Sequence, residues 1–153
     1  GTCVGVDYWT QDELGRRMEG VMGKRRKDLV ATDLARAIWR TVGHCEYCGV
    51  ANEQAQLQGA HIYGVGAYPR LRDDLRNGMS LCSVDHRRFT DNPIAFTDWV
   101  RTTKYNKYLI PLQEKNKTFE KRFWEERVAE LKDIKKQLEK GSLDLDELRE
   151  EEL

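Results

Sequence analysis

Apolar side chains recur at helical spacing near the start of the chain. A capping box at residues 10–13 precedes apolar positions that continue to Val21, and Gly23 follows them. This pattern predicts a helix that begins at the capping box and ends at the glycine. Apolar residues four positions apart after Thr32 predict a second helix, which ends before Gly43.

Between residues 44 and 80 the helical period is lost. This stretch is rich in glycine, and apolar and polar residues alternate over 55–58 and 60–63. Such alternation is typical of half-buried strands, so we expect a short hairpin with an irregular loop that passes through Pro69.

Helical patterns return in the second half of the chain. One helix is predicted from Cys82 to Thr90, and Asn92–Pro93 predicts the start of another, because asparagine is a good N-cap and proline fits the first turn. Residues 118–140 predict a third helix, with Val128 and Leu131 on an apolar seam. That seam fits packing back on the domain as well as it fits a short coiled coil.

Charge is unevenly distributed, although the whole chain carries 26 basic and 26 acidic residues. Residues 141–153 contain six acidic residues and one arginine, which leaves a net charge of −5 on this tail and +5 on residues 1–140. A basic body favours a polyanionic partner such as nucleic acid. We expect the acidic tail to be poorly ordered or loosely docked, and to compete with nucleic acid for the body.

The cysteines predict a metal site. Neither a signal peptide nor a long apolar run is evident, so we expect a cytoplasmic protein with reduced thiols and no membrane segment. Cys45 and Cys48 form a CxxC pair followed by glycine, and Cys82 supplies a third thiol. Asp85 shares a helix face with Cys82, and Cys3 is the alternative fourth ligand. The sequence predicts a structural Zn²⁺ site; free thiols are the alternative.

Three polar residues follow in a recognisable order. His61 ends a predicted strand, Asn77 precedes a Gly-Met-Ser-Leu-Cys run, and His86 lies on the helix after it. With the CxxC pair, this order resembles the HNH (ββα-metal) endonuclease family, especially small phage-encoded members. The resemblance implies an α+β fold with a small ββα-metal core at 44–104 and a zinc knuckle. Helical extensions at 1–43 and 105–153 would flank that core, the second ending in the acidic tail.

The resemblance also implies catalytic roles. His61 would be the general base, and Asn77 would brace the loop that holds it. His86, with Thr90 one turn further on, would hold a single catalytic divalent ion such as Mg²⁺, Mn²⁺ or Ni²⁺, remote from the zinc. One departure is Ala60, since well-studied members place a metal-binding Asp or His before the base.

The implied activity is metal-dependent hydrolysis of DNA phosphodiester bonds, by nicking or double-strand cutting, in the cytoplasm of a bacterial host. Phage packaging proteins or host proteins are the other partners it suggests. A non-catalytic HNH scaffold that binds nucleic acid or a host protein is the alternative. Basic residues around the motif would neutralise backbone phosphates without reading sequence: Arg70, Arg72, Arg76, Arg87, Arg88, Lys24, Arg25, Arg26 and Lys27.

Overall fold

The computed structural model describes residues 25–153. The predicted helix that opens at the 10–13 capping box, the alternative ligand Cys3 and the basic Lys24 therefore lie outside the described residues. The described helices are α1 (Lys27–Arg40), α2 (Ser83–Asp91), α3 (Pro93–Val100), α4 (Asn106–Asn116), α5 (Trp124–Glu139) and α6 (Leu145–Glu151). They surround an antiparallel pair of strands, β1 (Leu57–His61) and β2 (Gly78–Cys82).

The predicted α+β fold is confirmed. The hairpin pairs Leu57 with Cys82 at one end and His61 with Gly78 at the other, and β2 runs directly into α2. Within residues 25–153, no helix is long and apolar enough to cross a membrane.

Helix α1 packs on the hairpin through two glycines. A Cβ added to Gly59 would lie 2.5 Å from the backbone of Arg36, and one added to Gly78 would lie 2.3 Å from the ring of Trp39. Since directly paired residues share a face of an antiparallel sheet, the face that carries His61 is the face that α1 covers.

Helix α1 begins five residues before the predicted start at Thr32. The Thr32 hydroxyl donates to the Asp28 carbonyl at 2.8 Å, which places it inside the helix and not at its cap. The aspartate stabilises the first turn, because its negative charge lies near the positive end of the helix dipole.

Helix α5 packs back on α1, so the coiled-coil alternative is wrong. Its Val128 and Leu131 are buried in one cluster with Ala35 and Ile38 of α1. Helix α5 begins at Trp124, later than the predicted residue 118.

Helix α4 was not predicted from the sequence. Pro111 lies within it, and proline normally disfavours a helix interior because it removes a backbone donor. Tyr108 and Leu112, four residues apart, are buried on one side and outweigh that cost. That spacing was the signal available in the sequence.

The acidic tail is ordered and firmly docked, which contradicts the expectation of a loose tail. Arg149 of α6 is 1% exposed and donates to the carbonyls of Leu75 at 2.9 Å and Gly78 at 3.0 Å. Its guanidinium also lies 4.9 Å from the ring centroid of Tyr105. We call this arrangement the C-terminal clamp. Excess negative charge suggested solvation, but the one arginine of the tail anchors it in the core.

Candidate functional site

Four side chains converge at the end of the hairpin where Leu57 pairs with Cys82. The Sγ atoms of Cys45, Cys48 and Cys82 and a carboxylate oxygen of Asp85 all lie within 4.8 Å of one another, and we call them the cysteine cluster. The Cys48 and Cys82 sulfurs are 3.9 Å apart, and Asp85 Oδ2 is 3.3 Å from the sulfurs of Cys45 and Cys82. In a tetrahedral zinc site with 2.3 Å bonds the sulfurs lie about 3.8 Å apart, so this geometry fits such an ion.

The local fold explains why these four residues meet. The knuckle turns at Gly49, whose φ of +82° disfavours any side chain, and Cys45 N–H donates to the Val50 carbonyl at 2.9 Å. Cys82 is the N-cap of α2, and its sulfur accepts from Asp85 N–H at 3.4 Å. The carboxylate therefore stands one turn into the helix, directly under the thiols.

The charges in the cluster suit a cation. Burial raises the pKa of the Cys82 thiol. Burial also opposes the charge of Asp85, yet hydrogen bonds from the three thiols hold the pKa of that carboxyl below its ordinary value. Without a metal, hydrogen bonds from the thiols stabilise the buried, charged carboxylate. A bound cation would take the place of the thiol protons.

A second set of contacts ties the knuckle to the rest of the protein. Glu46 accepts from Ser80 N–H at 2.7 Å and from the Tyr105 hydroxyl at 2.5 Å. On the other side, the ring of Tyr47 packs edge-on against Phe89 and Trp99, with centroids 4.9 and 5.0 Å away. The knuckle is thus fixed to β2, α2 and α3 as well as to the cluster.

His61 lies at the opposite end of the hairpin. Its Nε2 is 2.9 Å from the Arg72 carbonyl oxygen, and its ring packs edge-on against Trp39 at 4.9 Å. Because a carbonyl oxygen only accepts, Nε2 carries the proton and Nδ1 keeps a lone pair. Burial, followed by the charges of Arg36 and Arg72, lowers the pKa of His61 to about 4.

His86 is held in the complementary tautomer. Its Nδ1–H donates to Gln58 Oε1 at 2.7 Å, which leaves the Nε2 lone pair available to a metal. Burial lowers its pKa, and the charge of Arg36 lowers it further. The charge of protonated His86 in turn lowers the pKa of His61.

Asn77 holds the loop that follows β1. Its Oδ1 accepts from Tyr63 N–H at 2.8 Å, and its amide donates to the carbonyls of Tyr63 and Leu71 at 3.0 Å. The side chain is fully buried and joins the residues after His61 to the turn that carries the Arg72 carbonyl.

Arg36 was not predicted from the sequence to belong to the candidate site. It lies on α1 directly over Gly59, and its charge lowers the pKa of both His61 and His86. Its side chain remains 41% exposed and forms a 3.1 Å ion pair with Asp33. The sequence carried no signal for this position, because the packing of α1 on the hairpin places Arg36 over Gly59 of β1.

Residues 25–153 contain no second group of three or more clustered His, Cys, Asp or Glu ligands. Ala60 is 2% exposed and lies in the apolar cluster with Met79, its partner on β2. The exposed Thr90 donates its hydroxyl to the His86 carbonyl at 2.7 Å. At the candidate catalytic ion, His86 is therefore the one described nitrogen ligand, and Thr90 offers only a hydroxyl oxygen.

Two of the arginines expected to contact DNA are committed elsewhere. Arg76 is 5% exposed, forms a two-bond pair with Asp74 at 2.8 and 2.9 Å, and donates to the Glu152 carbonyl. Arg72 is largely buried against Asp28 and Thr32. Both guanidinium groups bind acidic partners within the protein, which disfavours a phosphate contact, and their contact with DNA stays a prediction.

The remaining basic candidates in the described chain lie at or near the surface. Arg70, Arg87 and Arg88 are exposed, although Arg88 forms a 3.5 Å pair with Asp85 of the cluster. Two residues before α1 are also paired with acidic partners: Arg25 with Asp33, and the exposed Arg26 with Asp28. Lys27, the first residue of α1, is half-buried.

Residues 45–97 match a family model described as HNH endonuclease. The matched segment begins at Cys45, the first cysteine of the cluster, contains His61 and His86, and ends within α3. No curated protein and no solved structure matches the chain.

Proposed function

Because residues 45–97 place this chain in the HNH endonuclease family, as the resemblance predicted, we propose that it is a metal-dependent endonuclease that hydrolyses DNA phosphodiester bonds. The observation that carries this proposal is the pair of histidines with fixed and complementary tautomers. One leaves a lone pair free to accept a proton, and the other leaves a lone pair free to bind a cation.

His61 has the properties of a general base. The Arg72 carbonyl fixes its tautomer, so Nδ1 can take a proton from the water that attacks phosphorus. Its low pKa keeps the imidazole uncharged at neutral pH. Bound phosphate would raise that pKa towards neutrality, because an anion stabilises the imidazolium.

His86 would bind the divalent ion (Mg²⁺, Mn²⁺ or Ni²⁺) through Nε2, with Thr90 nearby and substrate phosphate completing the coordination. When bound, such an ion stabilises negative charge on the phosphate and the leaving oxygen. Gln58 fixes the imidazole by accepting from Nδ1, a role in which other proteins commonly use a carboxylate or carbonyl.

Arg36 would contribute a phosphate contact beside the base. Its side chain is partly exposed and its charge acts on both imidazoles. Arginine suits phosphate because its fork of donors matches two oxygens. Exposed Arg70, Arg87 and Arg88 would add contacts that position the duplex. In the same proposal, the cysteine cluster holds a structural Zn²⁺.

The test is nicking of supercoiled plasmid in the presence of Mg²⁺, Mn²⁺ or Ni²⁺. The parent should nick, and His61→Ala should lose about 10²–10⁴-fold in rate while still binding DNA. His44 is exposed and provides a matched control, so His44→Ala should nick like the parent. A parent that nicks with none of the ions, or a His61→Ala protein that nicks at the parental rate, contradicts the proposal.

The alternative is a scaffold that binds nucleic acid or a host protein without cutting. The buried Ala60 favours it, since this position offers no metal ligand. Binding of DNA by a parent that cuts with no ion would select this alternative. Partners among phage packaging proteins stay a prediction of the resemblance.

A further inference from the structure

A cleft of about 370 Å³ lies beside the loop that follows His61. One wall is formed by Ile62 and Tyr63, the two residues directly after the histidine. Because Ile62 directly follows the last residue of β1, the wall begins right after the proposed base, while the His61 side chain itself lies on the face that α1 covers. Helices α3 and α4 form the other walls.

The wall next to His61 is rigid. Ile62 N–H donates to the Asn77 carbonyl at 2.9 Å, and Tyr63 N–H donates to Asn77 Oδ1 at 2.8 Å. The Tyr63 hydroxyl donates to the Leu109 carbonyl of α4 at 3.1 Å, and its ring lies 4.7 Å from that of Tyr68. The same asparagine therefore fixes both the cleft and the loop of the candidate base.

The lining combines flat apolar surfaces with hydrogen-bonding groups. Phe96 and Tyr63 supply aromatic rings, and Asn106 and Gln113 supply exposed amides. Arg101 stands at the same cleft with its side chain 63% exposed, and its ion pair with Asp98 is 3.8 Å long. A nucleobase needs such a set: faces to stack on, amides for its polar edge and a cation for its phosphate.

We propose that this cleft receives one unstacked nucleobase of the substrate strand, next to the phosphodiester bond that is cut. The proposal rests on the proposed nuclease function and deepens it, because the substrate becomes DNA in which a nucleotide is unpaired or easily turned out of the duplex. A protein ligand is the less favoured occupant, since the cleft is compact, half of its ten lining residues carry hydroxyl, amide or guanidinium groups, and it adjoins the strand that ends at the proposed base.

The test compares two DNA duplexes that differ only in one base. Both carry a single extra nucleotide in one strand, but in one duplex that nucleotide lacks its base. Binding is measured in buffer without added divalent ion, so that the result does not depend on cleavage. The parent should bind the base-bearing duplex about tenfold more tightly, because stacking on aromatic side chains is worth about that much per base.

Two exposed isoleucines provide matched variants. Ile110 is 70% exposed and lines the cleft, whereas Ile94 is 76% exposed and does not. Ile110→Glu should abolish the preference for the base-bearing duplex, and Ile94→Glu, which adds the same charge elsewhere, should preserve it. Both variants are expected to fold, because both positions face solvent.

A parent that binds the two duplexes equally, or an Ile110→Glu protein that keeps the preference, overturns the proposal and leaves the cleft to a protein ligand. Plasmid nicking without the preference means that this inference fails while the nuclease function stands. A preference for the base without nicking by any ion supports the cleft and contradicts the nuclease function.

Discussion

The two ends of the hairpin are held by different chemistry. At the end where Leu57 pairs with Cys82, three thiols and one carboxylate converge within 4.8 Å. At the end where His61 pairs with Gly78, Arg149 donates to two backbone carbonyls. The ligand set at the first end fits a metal, whereas the second end uses α6, near the C-terminal end of the chain.

This difference separates the proposed structural metal site from the proposed base, His61. The cysteine cluster is complete within 45–85 and lies at the end away from the candidate base. The C-terminal clamp acts at the end that carries the proposed base, because Gly78 is the strand partner of His61 and the clamp holds the Gly78 carbonyl. A small module thus depends on an extension outside the matched family segment for the position of its proposed base.

The largest effect on stability is expected at the cysteine cluster. Cys82→Ser removes one ligand but keeps a good N-cap for α2, so it isolates the loss of metal from the loss of the cap. We expect about one equivalent of zinc in the parent and little in the variant. The variant should be unfolded or nearly so, since structural zinc contributes on the order of 10 kcal/mol to folding.

Elemental analysis and thermal unfolding monitored by circular dichroism provide the measurements for this prediction. Purified parent protein without zinc, never exposed to chelator, would contradict it. So would a Cys82→Ser protein that melts like the parent.

A smaller effect is expected at the clamp end. Arg149→Met leaves the Gly78 carbonyl without its donor, while the Leu75 carbonyl keeps Trp39 Nε1–H at 3.0 Å. The free energy of unfolding in urea should fall by about 3 kcal/mol. Lys107→Ala is the control: its exposed ion pair with Glu150 also joins α4 to α6 but should contribute less than about 1 kcal/mol.

Equal losses from Arg149→Met and Lys107→Ala would show that the clamp is an ordinary surface contact. The same result would mean that the acidic tail is loosely docked, as its composition suggested.

Acid should weaken the clamp end through His61. Its pKa is about 4 in the folded protein and near 6.5 when unfolded, so between these values the unfolded chain binds a proton that the folded chain does not. Stability contributed by this group is present above pH 6.5 and is lost as the pH falls towards 4. Since each pKa unit is worth about 1.4 kcal/mol, the loss amounts to roughly 3 kcal/mol at most.

The measurement is urea unfolding at several pH values for the parent and for His61→Ala, both loaded with zinc. Protonation of the thiols will weaken metal binding in both proteins, so the difference between the two pH profiles reports His61. The parent should lose more stability than the variant on acidification. Parallel profiles would mean that His61 is not buried in its neutral form.

The sequence predicted the convergence of the four residues in the cysteine cluster well and the C-terminal clamp poorly. The CxxC pair, Cys82 and Asp85 share a short stretch with ligand spacing, so local pattern alone brought them together. Arg149 lies 71 residues from Gly78, and nothing in a tail of net charge −5 signalled a buried arginine. Long-range packing also determines where Arg36 and Arg76 lie: Arg36 packs over Gly59 of β1, and Arg76 is buried in the core.

The central claim is that the cysteine cluster is structural, whereas the proposed chemistry belongs to His61 and to His86, which is held by Gln58. Its most direct test is the plasmid nicking rate of the parent and His86→Ala across a range of Mg²⁺ or Mn²⁺ concentrations, with the zinc content of each protein recorded. We predict that His86→Ala retains the full zinc content, nicks far more slowly, and recovers partly at high ion concentration. Nicking by His86→Ala at the parental rate, or loss of zinc together with activity, would contradict this division.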